Sequence, residues 1–159
     1  MLLLVLLTVN LHAVSKQSIK EHAANFTNYP STILAIAGVE SSYGRNILGD
    51  DGHSLGLMQI WIPTARFIAK RDSSLEWLLK LPTKTLQTLL LKNDALSIEI
   101  ASKLFEYHRQ RHGYKMAIIK YNGLWEVNSK GKAVRDKHGN KVLNVKYYDK
   151  VMKMMKLNK

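Results

Sequence analysis

One carboxylate in line with an apolar helix face constrains this chain more than any other feature. The segment "TILAIAGVESSYG" places Ile33, Ile36, Ala37 and Glu40 at i, i+3, i+4 and i+7. Those four residues share one helix face. An unpaired charge is expensive to bury, so Glu40 must meet a polar boundary, a partner or a proton. Helix position alone leaves two readings open. In one, the glutamate turns to solvent or caps a neighbour. In the other, it forms the half-dry wall of a cleft. There burial raises its pKa, and a protonated carboxyl can give its proton to a leaving group.

The flanking sequence favours a short element on each side. "NYPST" reads as a turn with Pro30 at the entry and Ser31 as cap of a helix that Gly44 stops. Residues 44–56, "GRNILGDDGHSLG", are turn formers and read as a loop. Helices are expected from Thr64, Ser74 and Thr83. A longer one opens at Asn93 and Asp94, carries Leu96, Ile100 and Leu104 on one stripe, and ends at Gly113. "YKMAIIKY" is a further short helix. Residues 125–145 change character: β-branched residues separated by "SKG" and "KHGN" predict a small basic β-hairpin. "YYDKVMKMMKL" closes the chain as a basic helix. No internal repeat stands out.

The chain has 159 residues, enough for one domain with a real core. It has no cysteine, which excludes disulfides and thiolate metal sites. A net charge of +12 predicts an anionic partner, whether nucleic acid, anionic lipid or an acidic wall polymer. The N-terminus narrows that choice. "MLLLVLLTVNLHAVSK" is an apolar run too short to span a bilayer, followed by Ala13 and Ser15 where a signal peptidase would read. Residues 1–15 are therefore expected to be an export signal and 16–159 a single domain in the periplasm or envelope. A buried helix or an uncleaved anchor is the alternative for residues 1–15.

"ESSYG", "SLGLMQI" and "PTA", in this order and spacing, resemble the catalytic domain of lytic transglycosylases of the soluble-lysozyme (SLT) type. "NDALSIEIA", "KYNG" and "YYDKV" extend the likeness over residues 29–152. The resemblance implies an α+β, mostly α, lysozyme-like fold with a small β-hairpin insertion. It also implies cleavage of the bond between N-acetylmuramic acid and N-acetylglucosamine without water, leaving 1,6-anhydromuramoyl ends. Carried over, Glu40 matches the catalytic acid/base, and Ser41, Ser54, Gly56, Leu57, Met58 and Gln59 match the cleft segment. There glycine admits sugar close to the backbone, Met58 offers an apolar wall, and Gln59 can bond an acetamido group. Tyr121 and Asn122 match the later tyrosine-asparagine pair. Tyr147, with Tyr148 as rival, matches the tyrosine that orients the glutamate.

The likeness has departures: Gly123 and Leu124 replace alanine-glycine, the asparagine expected near Ser97 is missing, and the 125–145 arm is long. No cofactor and no metal is expected. His108 and His112 have metal-ligand spacing but no third ligand in the sequence, so a surface or core-edge pair is the expectation. Asp50 and Asp51 read as a solvated turn, with a second catalytic carboxylate as the alternative. The expected partner is the glycan strand of peptidoglycan, met by a monomer. Nucleic acid is not expected, and an envelope-spanning machine is left open as a further partner. Two other functions stay in view. One is a lysozyme that uses Asp50 or Asp51 to activate water. The other is a peptidoglycan-binding module with little turnover.

Overall fold

The computed structural model describes residues 14–159. The expected export signal therefore lies, except for Val14 and Ser15, outside the described residues. Among those residues there are seven α-helices, two 3₁₀ segments and one short antiparallel strand pair. The fold is lysozyme-like, mostly helical with a small sheet. No helix among them is long and apolar enough to cross a membrane.

Helix α1 (Lys16–Ala23) starts at Ser15, whose Oγ accepts from the Ser18 N–H at 3.0 Å. Helix α2 (Pro30–Ser41) is the hub. Its cap position is Tyr29, not Ser31 as expected. Pro30 fills the first helical position, and the cap residue Tyr29 has no short side-chain oxygen to reach back to the first turn, so no side-chain cap forms. Residues Thr32 to Gly38 are all buried, so α2 is enclosed on every side and not merely on the Glu40 face. It stops three residues before Gly44. Ser42 and Tyr43 both turn left-handed at φ +52° and +61°, and the Tyr43 N–H bonds Ala37 O at 3.2 Å.

Strands β1 (Leu48–Gly49) and β2 (Ser54–Leu55) pair antiparallel across a tight turn. Helix α3 (Ile62–Ala69) begins two residues earlier than Thr64, because Pro63 fits the first turn of a helix. The helix expected from Ser74 is a 3₁₀ segment, Ser73–Lys80, capped by Asp72. Helix α4 is Thr83–Lys92. Helix α5 (Asp94–His112) is capped by Asn93, whose side chain accepts from the Leu96 N–H at 2.9 Å, and it ends before Gly113 as expected. Its buried stripe from Leu96 to Phe105 joins α2 in the core. Helices α6 (Tyr114–Asn122) and α7 (Val145–Leu157) close the bundle.

Two glycines let helices and loops come close. At Gly38 a Cβ would meet the Tyr43 phenol at 2.7 Å and Met154 Cγ at 3.0 Å, so only glycine lets α7 lie flat on α2. Gly56, at φ +72°, presses on the Leu90 carbonyl of α4 with no room for a side chain.

The basic arm, residues 124–144, is more than a hairpin. Glu126 N–H bonds Val142 O at 2.9 Å, Val142 N–H bonds Val134 O at 3.0 Å, and Val134 N–H bonds Glu126 O at 2.8 Å. Three extended segments thus close a triangle, with bridges Trp125–Leu143, Val127–Ala133 and Arg135–Lys141. The period is eight residues, from Glu126 to Val134 to Val142. The pattern "N-S-K-G" then "D-K-H-G" carries it: Asn128 and Asp136 each fold back onto the backbone of their own turn. This short repeat escapes a reading of the sequence. Its two acids are occupied, Glu126 by Lys146 and Asp136 by its turn, whereas Lys130, Lys132, Lys137 and Lys141 have no ion pair among the described residues.

Gly56→Ala is expected to cost roughly 3 kcal/mol or more, since a left-handed alanine and a forced overlap with Leu90 add. Gly139→Ala, at φ +82° in open space, is expected to cost only about 1–2 kcal/mol. Urea denaturation of the two variants measures the difference; equal losses would show that the Gly56 contact yields easily.

Candidate active site

Glu40 is the penultimate residue of α2, half-buried where the helix meets the polar loop. Three elements converge on it. From α7, the Tyr147 phenol donates to Glu40 Oε1. From the end of α6, Asn122 Nδ2 donates to the same oxygen at 3.5 Å. Asn144, at the cap position of α7 but with its side chain turned away from the helix end, holds Asn122 in turn: its Nδ2 donates to Asn122 Oδ1 at 3.2 Å. On the far side, residues 49–61 of the strand pair and its turns form the other wall. The enclosed cleft measures about 590 Å³ and is lined by Glu40, Asp50, Ser54, Trp61, Tyr121 and Asn122, among others.

Burial pushes the Glu40 carboxyl up to about 7. The Asp50 charge adds to that rise, while the bonds from Tyr147 and Asn122 and the charge of Lys150 oppose it. Burial also holds the Tyr147 and Tyr121 phenols well above their ordinary value, and the neighbouring Glu40 charge adds to it. Both remain O–H donors at any physiological pH. Neither bond to Glu40 uses Oε2, which has no partner among the described residues. A carboxyl half-protonated near neutrality, clamped through one oxygen and open at the other, can give a proton to a bound molecule and take one back.

The other residues expected from the sequence divide into two groups. Ser54, Gln59, Tyr121 and Asn122 line the cleft with Glu40. Ser41, Gly56, Leu57, Met58 and Tyr148 do not. Ser41 is buried, its hydroxyl in reach of Leu57 O at 2.6 Å and Ala37 O at 3.2 Å while it accepts from the Gly44 N–H at 2.8 Å. It pins the cleft segment to α2. Leu57 and Met58 are fully buried in the core, because the segment turns inward between Leu55 and Ile60. Met58 is therefore no wall of the cleft, and Gly56 serves the contact with α4, not with sugar. Gln59 reaches the cleft, but its donors are spent, with Nε2 donating to Gly56 O at 2.9 Å and Asn46 O at 3.2 Å, while Oε1 lies against Gly49. Tyr121 donates to Met58 O at 2.9 Å, locking α6 to the same segment. Tyr148 faces away from the cleft, with Lys115 5.2 Å from its ring centre.

Asp50 lines the cleft and Asp51 does not. His108 and His112 stand 6.2 Å apart, with His108 held down at about 4, first by burial and then by nearby cations. Among the described residues no three His, Asp or Glu side chains are grouped to hold a metal. Sequence reasoning missed Asn144 and Trp61. Asn144 stands three residues before Tyr147, a helix-cap spacing that could have flagged it. Trp61 directly follows the "GLMQI" segment, an aromatic at a loop-to-helix junction.

The family model described as Transglycosylase SLT domain matches residues 17–143. The match contains Glu40, the strand pair, Tyr121 and Asn122, and stops short of Tyr147. None of the curated proteins matches the chain.

The raised carboxyl has a consequence for stability. An unfolded glutamate titrates near 4.5 and folded Glu40 near 7. Between these values the folded state keeps a proton that the unfolded state has lost, so Glu40 makes stability fall as pH rises through that window. Glu40→Gln removes the titration. Its stability relative to the parent is expected to improve by roughly 1–3 kcal/mol between pH 4 and pH 8. Urea midpoints at the two pH values test this, and a pH-independent difference would mean that Glu40 titrates normally.

Proposed function

The chain belongs to the transglycosylase SLT domain family, and from that premise we propose that it cleaves the MurNAc–GlcNAc bond of peptidoglycan without water. The observation that carries this reading is one carboxyl, Glu40, on the dry wall of the cleft, held by Tyr147 and Asn122 with its second oxygen free. The protonated carboxyl gives its proton to the glycosidic oxygen as the C1–O bond breaks. The substrate's own 2-acetamido oxygen bonds C1 and shares its positive charge. Glu40, now a carboxylate, takes the proton of the C6 hydroxyl, whose oxygen displaces the acetamido oxygen at C1. The product is a 1,6-anhydromuramoyl end, and Glu40 is protonated again. Tying the nucleophile to the substrate replaces a bimolecular step by a unimolecular one, so water need not compete.

Burial and the Asp50 charge favour the acid form needed first, and the Tyr147 and Asn122 donors favour the carboxylate needed second. A pKa near 7 serves both steps. The exposed cations of the arm supply attraction to the anionic wall. In this reading residues 1–15 export a monomeric chain to the envelope, where its substrate lies.

Asp50 supports a second reading, hydrolysis, because it lines the same cleft. An inverting hydrolase needs a second carboxylate to activate water, and Asp50 is the candidate. Yet Asp50 is exposed, and its Oδ2 already accepts from the Ser54 hydroxyl at 2.5 Å.

Digestion of purified peptidoglycan followed by mass spectrometry separates the two. Anhydro ends, lighter than hydrolytic products by one water, are expected, with Asp50→Asn retaining most activity. Reducing muramic ends together with collapse of Asp50→Asn would establish hydrolysis. Folded Glu40→Gln is expected to lose on the order of 10²–10⁴-fold in turnover, and near-normal turnover would remove Glu40 from the chemistry.

Affinity for intact sacculi is expected to fall as salt rises, because charges on the arm are screened over about 8 Å at physiological ionic strength. Sedimentation of the Glu40→Gln protein with sacculi across a salt series measures it. A flat response would leave the arm lysines as a solubilising surface.

A further inference from the structure

Trp61 lines the Glu40 cleft and has no part in the proton transfers. Trp61 is 47% exposed, so a large apolar ring stands open at the edge of the cleft. It is also held in place. Nε1 donates to Ser54 Oγ at 2.7 Å, and Ser54 Oγ donates to Asp50 Oδ2 at 2.5 Å. Ser54 is 4% exposed, so the middle of this chain is shut off from water. The Trp61 carbonyl accepts from the Ala65 N–H at 3.0 Å as α3 begins, which fixes the backbone. His53 packs on the indole, with centroids 5.8 Å apart, and does not line the cleft. The turn that presents Asp50 is strained: Asp50 and Asp51 lie at φ +48° and +53°. Left-handed non-glycine residues cluster where a site over-determines the backbone. Trp77 makes the contrast. It is equally exposed, at 46%, but lines no part of the cleft, and among the described residues its indole nitrogen has no hydrogen-bond partner.

We propose that Trp61 is a stacking platform for a pyranose ring. The class of ligand is a β-1,4-linked 2-acetamido sugar with equatorial substituents. Such a ring turns the axial C–H bonds of C1, C3 and C5 to one face, which is apolar and weakly positive. The indole face is apolar and negative. Stacking covers both without leaving a polar group unpaired, and the Ser54–Asp50 support means that little freedom is lost on binding. The platform fixes one sugar of the strand so that the scissile oxygen meets Glu40 Oε2. This inference rests on the cleft being a glycan site.

The experiment uses the full chain carrying Glu40→Gln, Trp77→Phe and Trp125→Phe, so that nothing turns over and Trp61 is the single indole. The probe is the tetramer of N-acetylglucosamine, followed by indole emission and by calorimetry. Saturable quenching with a blue shift is expected, at the Kd that calorimetry gives. Trp61→Ala in the Glu40→Gln background is expected to weaken binding roughly 10-fold, and Trp61→Phe to recover most of that loss. Thermal unfolding of each variant shows that the fold is kept, with Trp61→Leu, which fills the position without a ring and is expected to bind as weakly as the alanine chain, as the second test should the alanine chain melt early. Calorimetric binding with unchanged emission and undiminished affinity in the ring-less Trp61 variant would overturn the platform while leaving the glycan cleft. Absence of binding by both methods would overturn the glycan reading and the platform with it.

Discussion

The hydrogen bond from Tyr147 to Glu40 joins residues 107 positions apart and is the contact on which the site depends. Without a donor, a carboxyl in this position would be a neutral acid with no reason to accept a proton and return it. With the phenol in place, burial and hydrogen bonding oppose each other and leave the group balanced near neutrality. Much of the fold serves that contact. Gly38 lets α7 lie close against α2, Asn144 at the start of α7 steadies Asn122, and the three-segment arm spans the gap between α6 and α7.

The neighbouring residue performs the complementary task. Ser41 turns inward where Glu40 turns outward, and its hydroxyl joins the end of α2 to the cleft segment. Tyr121 fastens the same segment from the other side through Met58 O. The Glu40 wall and the facing wall of the cleft, on separate elements, are thus held by short buried bonds, so their separation is fixed by the core. The segment "SLGLMQI" is mostly scaffold. Its backbone turn carries Ser54 and Trp61 to the cleft, while Leu57 and Met58 anchor it in the interior.

Where local chemistry decides, the sequence was legible. Asn93 and Gly113 bound α5 because capping and left-handed termination are set by the residues themselves. The apolar spacing around Glu40 set the helix and its buried carboxylate. The motifs around Glu40 named the family that the domain match establishes. Less legible were choices between two locally acceptable states. The helix opened at Pro30, which put Tyr29 and not Ser31 at the cap position, and the 3₁₀ segment at 73–80 replaced an α-helix. The eight-residue period of the arm repeats only twice, too briefly to separate from a hairpin pattern.

By itself the sequence determined that one glutamate sits at the end of an apolar helix before a turn-rich loop. That followed from side-chain period and turn chemistry, which act over a few residues. Tertiary structure decided what the glutamate is: which phenol holds it, why Tyr147 and not Tyr148, and why Gln59 is spent while Trp61 faces the cleft. Those outcomes depend on which side of a helix or turn meets another element. One residue of rotation on α7 exchanges Tyr147 for Tyr148, and only the packing of α7 against α2 fixes that rotation.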